Sequence, residues 1–334
     1  MTRASIGLAL ICLLVGCPNG DTPPAPPWQL VYEELPGALL SVWGTSESDV
    51  WLVGADARDG MGPLVLHYDG ERFERVDTGL DAGTLWWVFG FDGGPVYMGG
   101  DGGTIVRYAS GVFTPLSTPS TDTVFGIWGA SPDDVWAVGG ASDARNGFAW
   151  RLEGDAWVPE ATLPADVPDR AAIWKVFGIS PDDVWFVGSN GVSLHWDGGS
   201  LTAADTGIGS SLFTVHGNGS RFAAVGGLGN GIIIEYEGGA WHNVTPSTTL
   251  PGMSGIYVGA DASGVAVGSY GTVYVRDAGG WHEEDTGYPL AENFHAVWVD
   301  PQDGIWAVGG QTFSVPLTSG VLLHRGDALP EGAL

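Results

Sequence analysis

One short segment recurs seven times along this chain, and its spacing constrains the fold more than any other feature. The first copy is Val50-Trp51-Leu52-Val53-Gly54, an apolar run that ends at a glycine. Related copies, some of them degenerate, occupy 96–99, 135–139, 184–188, 222–226, 265–268 and 305–309. Their final glycines lie 38 to 49 residues apart. A repeat of this length, made of several short strands, is typical of β-propeller blades.

The first complete unit shows what each repeat contains. Four runs rich in Val, Trp, Phe and Tyr, bounded by turn residues, predict strands at 39–44, 49–55, 64–68 and 73–77. No apolar stripe with helical spacing is long enough to compete with this pattern. The sequence therefore predicts an all-β protein.

The two ends of the chain complement each other. In six units an aromatic or leucine residue follows a glycine-bearing turn and opens a fourth strand; these residues are Phe73, Phe113, Trp157, Leu201, Trp241 and Trp281. The seventh such residue is Trp28, which precedes the first unit, whereas the last unit has only three strands. We therefore expect a seven-bladed β-propeller, with the ring closed by the N-terminal strand completing the C-terminal blade. Closure also protects the strand edges.

A second short motif lies between the first and second strands of a unit. Ser-Pro-Asp-Asp occupies 131–134 and 180–183, and looser versions occupy 46–49 and 300–303. Proline presets a type I turn, and Ser and Asp side chains bond to nearby backbone amides. Calcium binding is the alternative, but calcium needs about 6–8 converging oxygens. We interpret the motif as a turn that fixes hairpin register.

Composition narrows the classes of partner. The chain has 39 acidic and 12 basic residues, a formal net charge of −27, and Lys175 is its one lysine. Nucleic acids and anionic membranes need clustered cations, so neither is expected as a partner. The 16 Trp residues mostly recur at repeat positions, and we interpret them as packing between blades rather than forming a ligand cage.

The N-terminus predicts export and a lipid anchor. A short basic start and an apolar run at 6–15 end in Leu14-Val15-Gly16-Cys17. This tetrapeptide resembles the bacterial lipobox, which implies a signal peptide at 1–16 and acylation of Cys17; an ordinary secretory signal is the alternative. A Pro-rich tether would follow at 17–27, and the ring would occupy 28–334. Pro18, rather than Asp, after the cysteine favours the outer membrane over the inner.

No catalytic residue is indicated. His67, His195 and His324 share one third-strand position, and equivalent residues of different blades point apart, so a metal site is not expected. Processing would leave no cysteine nucleophile, and no Gly-x-Ser-x-Gly elbow is present. We expect no enzyme activity and no cofactor, with Ca²⁺ as the one alternative named above.

Function is expected where loops depart from the repeat. The loops that join second to third strands, together with the connections between blades, share one face of the ring and are irregular in length. We predict a contact surface on that face, made of Arg58, Asp59, Asp143, Arg145, Asn146, Asp169, Arg170, Trp174 and Lys175.

The segment 127–139, Ile-Trp-Gly-Ala-Ser-Pro-Asp-Asp-Val-Trp-Ala-Val-Gly, resembles the tandem motif of secreted bacterial propeller proteins, many of which are lipoproteins. It is more distantly similar to Asp-box (sialidase-like) and kelch repeats, but the Ser-x-Asp-x-Gly-x-Thr-Trp order is absent, so no catalytic residue carries over. The predicted tether, the closed ring and the missing catalytic set lead us to expect a membrane-anchored envelope lipoprotein whose propeller binds a protein or polysaccharide without catalysis. Alternatives are a structural assembly factor of an envelope complex and a glycan-active hydrolase or lyase.

Overall fold

A computed structural model describes residues 27–330, apart from 142, 161–162, 165–166, 169–170, 220 and 261–262. Within these ranges the chain forms 28 strands and three short 3-10 helices, Asp101–Gly103, Ser189–Gly191 and Ser269–Gly271. The predicted signal peptide, Cys17 and the tether lie outside the described residues.

The described strands form seven antiparallel sheets of four strands each. The first strand of each sheet lies nearest the ring axis, because these strands contact one another in consecutive order and β26 returns to β2. The first strands are β2 Leu39–Ser46, β6 Leu85–Gly90, β10 Thr123–Ser131, β14 Ile173–Ser180, β18 Leu212–Asn218, β22 Met253–Val258 and β26 Asn293–Val299. The protein is thus a seven-bladed β-propeller, as predicted.

The remaining strands follow outward from the axis. The second strands are β3 Asp49–Asp56, β7 Val96–Gly100, β11 Asp134–Gly140, β15 Asp183–Gly188, β19 Arg221–Gly226, β23 Gly264–Gly268 and β27 Ile305–Gln311. The third strands are β4 Pro63–Tyr68, β8 Ile105–Ala109, β12 Phe148–Glu153, β16 Ser193–Trp196, β20 Ile232–Glu237, β24 Val273–Asp277 and β28 Thr318–Arg325. The outer strands are β5 Phe73–Arg75, β9 Val112–Pro115, β13 Ala156–Pro159, β17 Leu201–Ala203, β21 Ala240–Asn243, β25 Gly280–Glu283 and β1 Trp28–Leu35.

The N-terminal strand closes the ring. Strand β1 pairs antiparallel with β28, with Trp28 opposite Arg325. The Gln29 side chain donates to the Leu329 carbonyl and accepts from the Leu329 amide, both at 2.9 Å. The predicted closure is confirmed, and it joins segments that are about 300 positions apart in sequence.

The repeated glycine leaves room for a neighbouring carbonyl. A Cβ added at Gly54 would lie 2.0 Å from the Ala38 oxygen, and one at Gly226 would lie 2.0 Å from the Ser211 oxygen. The residue after each glycine uses that same carbonyl as its hydrogen-bond acceptor: Ala55 donates to Ala38 at 2.9 Å. In the second blade the equivalent residue is Gly100, opposite Leu85, so the choice of Gly99 from sequence was one position early.

The tryptophan of the motif packs between blades. Trp51 belongs to the cluster that contains Leu85 and Val96 of the next blade, and Trp185 to the one that contains Val215. The side chains of Trp136, Trp185 and Trp306 are almost completely buried. Most of the core therefore lies at the interfaces between blades.

The ring has two unlike faces. We call the loop face the one that carries the connections from blade to blade and those from second to third strands, the latter at 57–62 and 227–231 for example. We call the turn face the one that carries the short first-to-second-strand turns, such as 131–134 and 180–183. Because first strands run from the loop face to the turn face, their N-terminal residues surround the mouth of the channel on the loop face.

Candidate binding site at the mouth of the channel

All seven first strands carry the same irregularity near their N-terminal end. The pairing with the second strand shifts register there, so one residue of each first strand is skipped in the ladder. Such β-bulges reorient a side chain and occur often beside functional sites. The skipped residues are Leu40, Trp86, Phe125, Trp174, Phe213, Ser254 and His295.

Six of these seven residues line a cavity of about 300 Å³ at the mouth, which we call the cup. The aromatic rings form a continuous series around it. Trp86 and Phe125 have centroids 5.5 Å apart, Phe125 and Trp174 are 4.7 Å apart, and Trp174 and Phe213 are 6.4 Å apart. His295 extends the series, 5.8 Å from Trp86. Four consecutive blades thus each contribute an aromatic wall residue.

Two loop residues form the outer rim of the cup. Leu228, between β19 and β20, and Phe313, between β27 and β28, both line the cavity. Their exposed fractions are 68% and 59%, which is high for large apolar side chains. Since exposed apolar clusters often mark interaction sites, the rim and the wall together form the strongest candidate site.

Lys175 forms part of the floor. Its side chain leaves β14, lies with Nζ 4.3 Å from the centroid of the Trp87 ring, and donates to the Phe125 carbonyl at 2.7 Å. Trp87 lines the channel beyond the cup, so Lys175 lies between the cup and the lower channel. Burial lowers the pKa of the Lys175 ammonium to about 7.

The other polar groups of the cup are mostly engaged. The Nδ1 of His295 donates to the Leu40 carbonyl at 2.6 Å, and the Thr214 hydroxyl donates to the Ser254 carbonyl at 2.6 Å. Burial, and secondly the charge of Lys175, lower the pKa of His295 to about 3. In contrast, the indole Nε1 of Trp174 is buried and has no hydrogen-bond partner among the described residues.

The predicted contact residues divide into two groups. Trp174 and Lys175 line the cup, but both belong to β14 and not to the preceding loop, and Lys175 is 5% exposed. The prediction of loop positions for these two was wrong, because the strand begins at Ile173.

The other predicted residues lie away from the cup lining. Asp59 pairs with Arg75 at 3.1 Å, and its pKa is lowered by the Met61 amide first and by Arg75 next. Asp143 pairs with Arg145, and Arg58 and Asn146 are exposed. Asp169 and Arg170 lie outside the described residues. A contact role for these outer residues stays a prediction.

The acids of the turn motif contact the third strand. Asp49 lies 2.7 Å from His67, Asp183 lies 2.8 Å from His195, and Asp134 lies 2.7 Å from Arg151 at the equivalent position. Each partner also stacks on the motif tryptophan of its blade, as His67 does on Trp51 at 4.2 Å. These contacts join turn, second strand and third strand, which supports the interpretation as turn chemistry.

Larger clefts open at the turn face. One, of about 620 Å³, lies between the sixth and seventh blades and includes Arg276 and Arg325. These guanidinium groups already bind Glu235 and Glu284, each at 2.6 Å. Because its two guanidinium groups are paired within the protein, this cleft is a weaker candidate than the cup despite its greater volume.

The first strands carry a sequence signal for the cup, separate from the second-strand motif. When the first strands are aligned on their bulges, the skipped position is aromatic in four consecutive blades. Three residues later every blade has an aromatic or histidine residue that lines the lower channel: Trp43, Phe89, Trp128, Phe177, His216, Tyr257 and Trp298. Trp86 and Phe213 were not predicted, because they lie on first strands whereas the repeated motif lies on second strands.

No protein-family model matches the sequence, and comparison with curated proteins finds no match either. Many solved structures share the fold. YCF48 from Cyanidioschyzon merolae is 17% identical, with 90% of this chain and 98% of that chain covered and a TM-score of 0.68. The RRP9 WD40 repeats are 12% identical, with 90% and 99% covered and a TM-score of 0.70.

A further similar structure is the BT3049 extracellular domain from B. thetaiotaomicron, 12% identical, with 90% of this chain and 41% of that chain covered and a TM-score of 0.67. At these identities the matches establish the propeller fold alone. In the described part of the chain, no helix has the length and apolar character needed to cross a membrane. The same part shows no group of three or more His, Cys, Asp or Glu side chains suited to holding a metal ion.

Proposed function

We propose that this protein is a non-catalytic binding module of the bacterial cell envelope, and that it recognises a partner protein through the cup. The observation that carries the proposal is the continuous aromatic wall from Trp86 to Phe213, contributed by equivalent bulges of four blades and left open under an exposed apolar rim. Packing alone does not require such a row to face a cavity.

The chemistry of the cup favours a protein over a polysaccharide. Sugars present many hydroxyl groups, which need hydrogen-bonding partners once buried. Most polar groups of the cup already bond within the protein, whereas its walls offer apolar and aromatic surface. Aromatic and aliphatic side chains are the groups that protein interfaces bury at their centres.

The same lining supports a role without catalysis. Glycoside hydrolysis typically uses two carboxyl groups about 5–10 Å apart across the bond. The described residues that line the cup include no Asp and no Glu. A similar propeller, YCF48, is described as bound to a D1 peptide, with 14% identity and a TM-score of 0.67; this supports a peptide as ligand only by analogy of fold.

We further propose that acylation of Cys17 anchors the ring, with outer membrane preferred over inner. The lipobox-like tetrapeptide and the Pro-rich segment 17–27 support this part of the proposal. A tethered ring would have its loop face available to partners at the membrane surface.

Site-specific photocrosslinking in the source envelope tests the binding function. A benzoylphenylalanine replaces Leu228 at the rim or, as a matched control, Val112, which is 60% exposed on the outer strand β9. We expect a discrete crosslinked protein from position 228 that the Phe213→Ala/Phe313→Ala variant loses. Equal crosslinking from both positions, or a polysaccharide adduct at 228 only, would contradict the proposal.

A further inference from the structure

The cup combines an apolar wall with two hydrogen-bond donors. Lys175 carries three N–H donors, of which one bonds to the Phe125 carbonyl, while the ammonium rests on Trp87. The adjacent Trp174 holds an indole N–H with no acceptor among the described residues. Both residues line the same cavity. Their spare donors would suit an acceptor group that arrives with a ligand.

Lys175 is difficult to explain as a structural residue. It is 5% exposed, and no Asp or Glu of the described chain forms an ion pair with it. Burying an ammonium without a counter-ion is costly, and cores are normally filled by apolar residues of similar volume. Residues that lower stability in this way are concentrated at functional sites.

The groups around Lys175 leave its charge uncompensated. Strand β10 contributes no titratable side chain. Asp134 of β11 and Asp183 of β15 lie at the turn face, paired with Arg151 and His195. His216 of β18 lies further down the channel. Across the mouth, His295 of β26 is neutral at physiological pH.

One further carboxylate lies beside the wall. Asp101 accepts from the Trp86 indole at 2.8 Å and from the Thr84 amide at 3.2 Å. It is therefore held by hydrogen bonds on the far side of Trp86 and does not line the cup. The uncompensated positive group of the cup is Lys175.

The geometry points to a ligand with an apolar body and a single carboxylate, held with its body against Trp86, Phe125 and Phe213 and its carboxylate on the Lys175 ammonium and the Trp174 indole N–H. A cavity of about 300 Å³ accepts a group about the size of one aromatic amino acid. The inference rests on the proposed function, since it assigns the chemistry that the cup recognises. Such a carboxylate belongs either to the C-terminal residue of a polypeptide or to a free small acid.

Titration calorimetry or fluorescence anisotropy with matched peptides tests the carboxylate. The probes are Gly-Gly-Gly-Phe with a free C-terminus and the same peptide as its C-terminal amide. A hydrogen bond to a charged group contributes about 1.5–3 kcal/mol, so we expect the acid to bind roughly 10- to 100-fold tighter than the amide. Equal affinities of acid and amide would overturn the inference.

Three variants test which residues cause the difference in affinity between the acid and the amide peptide. Lys175→Met keeps an apolar stem over Trp87 but removes the charge, and it should reduce the acid-to-amide ratio to about one. Trp174→Phe keeps an aromatic side chain, although a smaller one, but removes the N–H, and it should reduce the ratio several-fold. Val112→Ala, far from the cup on β9, should leave the ratio unchanged. A ratio that survives Lys175→Met would contradict the assignment.

A third probe, 3-phenylpropionate, separates the two sources. If its affinity is comparable to that of the acid peptide, the ligand class is a free small acid. If the acid peptide binds tenfold or more tightly, the class is a polypeptide C-terminus. Either result supports a carboxylate ligand. If both acids bind more weakly than millimolar, the carboxylate ligand is contradicted.

The acid-to-amide affinity ratio should depend on pH in a defined direction. The Lys175 ammonium loses its proton near pH 7 in the free protein, and a bound carboxylate would hold that proton to higher pH. The acid-to-amide ratio should therefore be greatest near pH 6 and decrease toward pH 9, while His295, with a pKa of about 3, does not titrate in this range.

Failure of this inference can be told apart from failure of the proposed function. If position 228 crosslinks to a protein but the acid and amide peptides bind equally, the cup contacts a protein and the inferred carboxylate recognition is wrong. Absence of both crosslinking and peptide binding would reject the cup as the binding site altogether.

Discussion

The ammonium of Lys175 lies 4.3 Å from the centroid of the Trp87 ring, so a side chain from the fourth blade rests on an aromatic residue of the second. A cation on an aromatic face is stabilised by about 0.5–2 kcal/mol. Burial lowers the pKa of Lys175 from 10.5 to about 7, and the free energy that corresponds to this decrease, about 1.4 kcal/mol per pH unit, exceeds the attraction to the ring. Lys175 is therefore a source of instability in the folded ring.

Lys175→Met should raise the stability of the ring. The ordinary pKa of 10.5 falls to about 7 on folding, so the unfolded chain binds more protons between these values. The free-energy cost of burying the charged Lys175 side chain therefore grows as pH decreases from about 10.5 to 7, and it is constant below pH 7. We expect the substitution to raise the free energy of unfolding by on the order of 1–3 kcal/mol at pH 6. This figure allows for the loss of the cation–π contact and of one hydrogen bond.

Urea unfolding of both proteins at pH 6 and pH 9 measures this gain. The increase in the free energy of unfolding should be clearly smaller at pH 9 than at pH 6. Lower stability of the methionine variant at both pH values would show that the ammonium is a net structural contact instead.

The partly buried histidines His216 and His295 should be neutral in opposite tautomers. Nδ1 of His216 accepts from the Val258 amide at 3.0 Å, which leaves its proton on Nε2. Nδ1 of His295 donates to the Leu40 carbonyl and so carries the proton. Burial lowers the pKa of each ring to about 3.

Long-range ¹⁵N–¹H NMR spectra at pH 5 distinguish these states. We expect two neutral rings, one of each tautomer, and a charged ring at either position would contradict the assignment. Because unfolded histidines take up protons near pH 6.5, the folded state should also lose stability progressively as pH falls from about 6.5 toward 3.

The ring could be predicted from sequence because its determinant is repeated and local. The Val-Trp-x-Val-Gly segment or a degenerate copy of it marks each second strand, and Trp28 has the features of a fourth-strand residue at the other end of the chain. The glycine in the second blade was misplaced by one position, since two adjacent glycines, Gly99 and Gly100, fit the pattern and only the pairing with Leu85 separates them.

The cup was harder to predict because it depends on strand register. A β-bulge turns Trp86 and Phe213 toward the channel, and a bulge is a property of two paired strands that one strand's sequence does not show. Lys175 was recognised as unusual from composition, but its burial follows from the start of β14 at Ile173. The irregular loops instead predicted a contact role for Arg58 and Arg145.

The motif glycine should tolerate no side chain. In Gly226→Ala the new Cβ would lie 2.0 Å from the Ser211 oxygen, and that carbonyl is fixed because it accepts the Gly227 amide at 3.0 Å. Overpacking of this kind typically costs about 1–3 kcal/mol. The matched control is Gly209→Ala, where a Cβ meets nothing within 4 Å.

Thermal unfolding of the two alanine variants should separate them by several degrees, with Gly209→Ala close to the parent. Similar melting temperatures for both variants would mean that the first strand can shift at its N-terminal end to accommodate a side chain.

Closure by the N-terminal strand should dominate the stability of the ring. Without residues 27–36 the seventh blade would lose β1, exposing the edge of β28 and the apolar residues that Trp28 and Leu35 cover. We expect the truncated ring to unfold at much lower temperature or to aggregate, since an unpaired edge is a template for association.

The peptide of residues 27–36, added in trans, should restore the melting temperature in a concentration-dependent manner, because it supplies the missing strand to an exposed edge. A peptide with Gln29→Ala should restore it less, since it lacks both side-chain hydrogen bonds to Leu329. A peptide of the same composition in scrambled order is the control. A truncated ring as stable as the intact one would show that the seventh blade holds with three strands, and that the closure seen here contributes little to the fold.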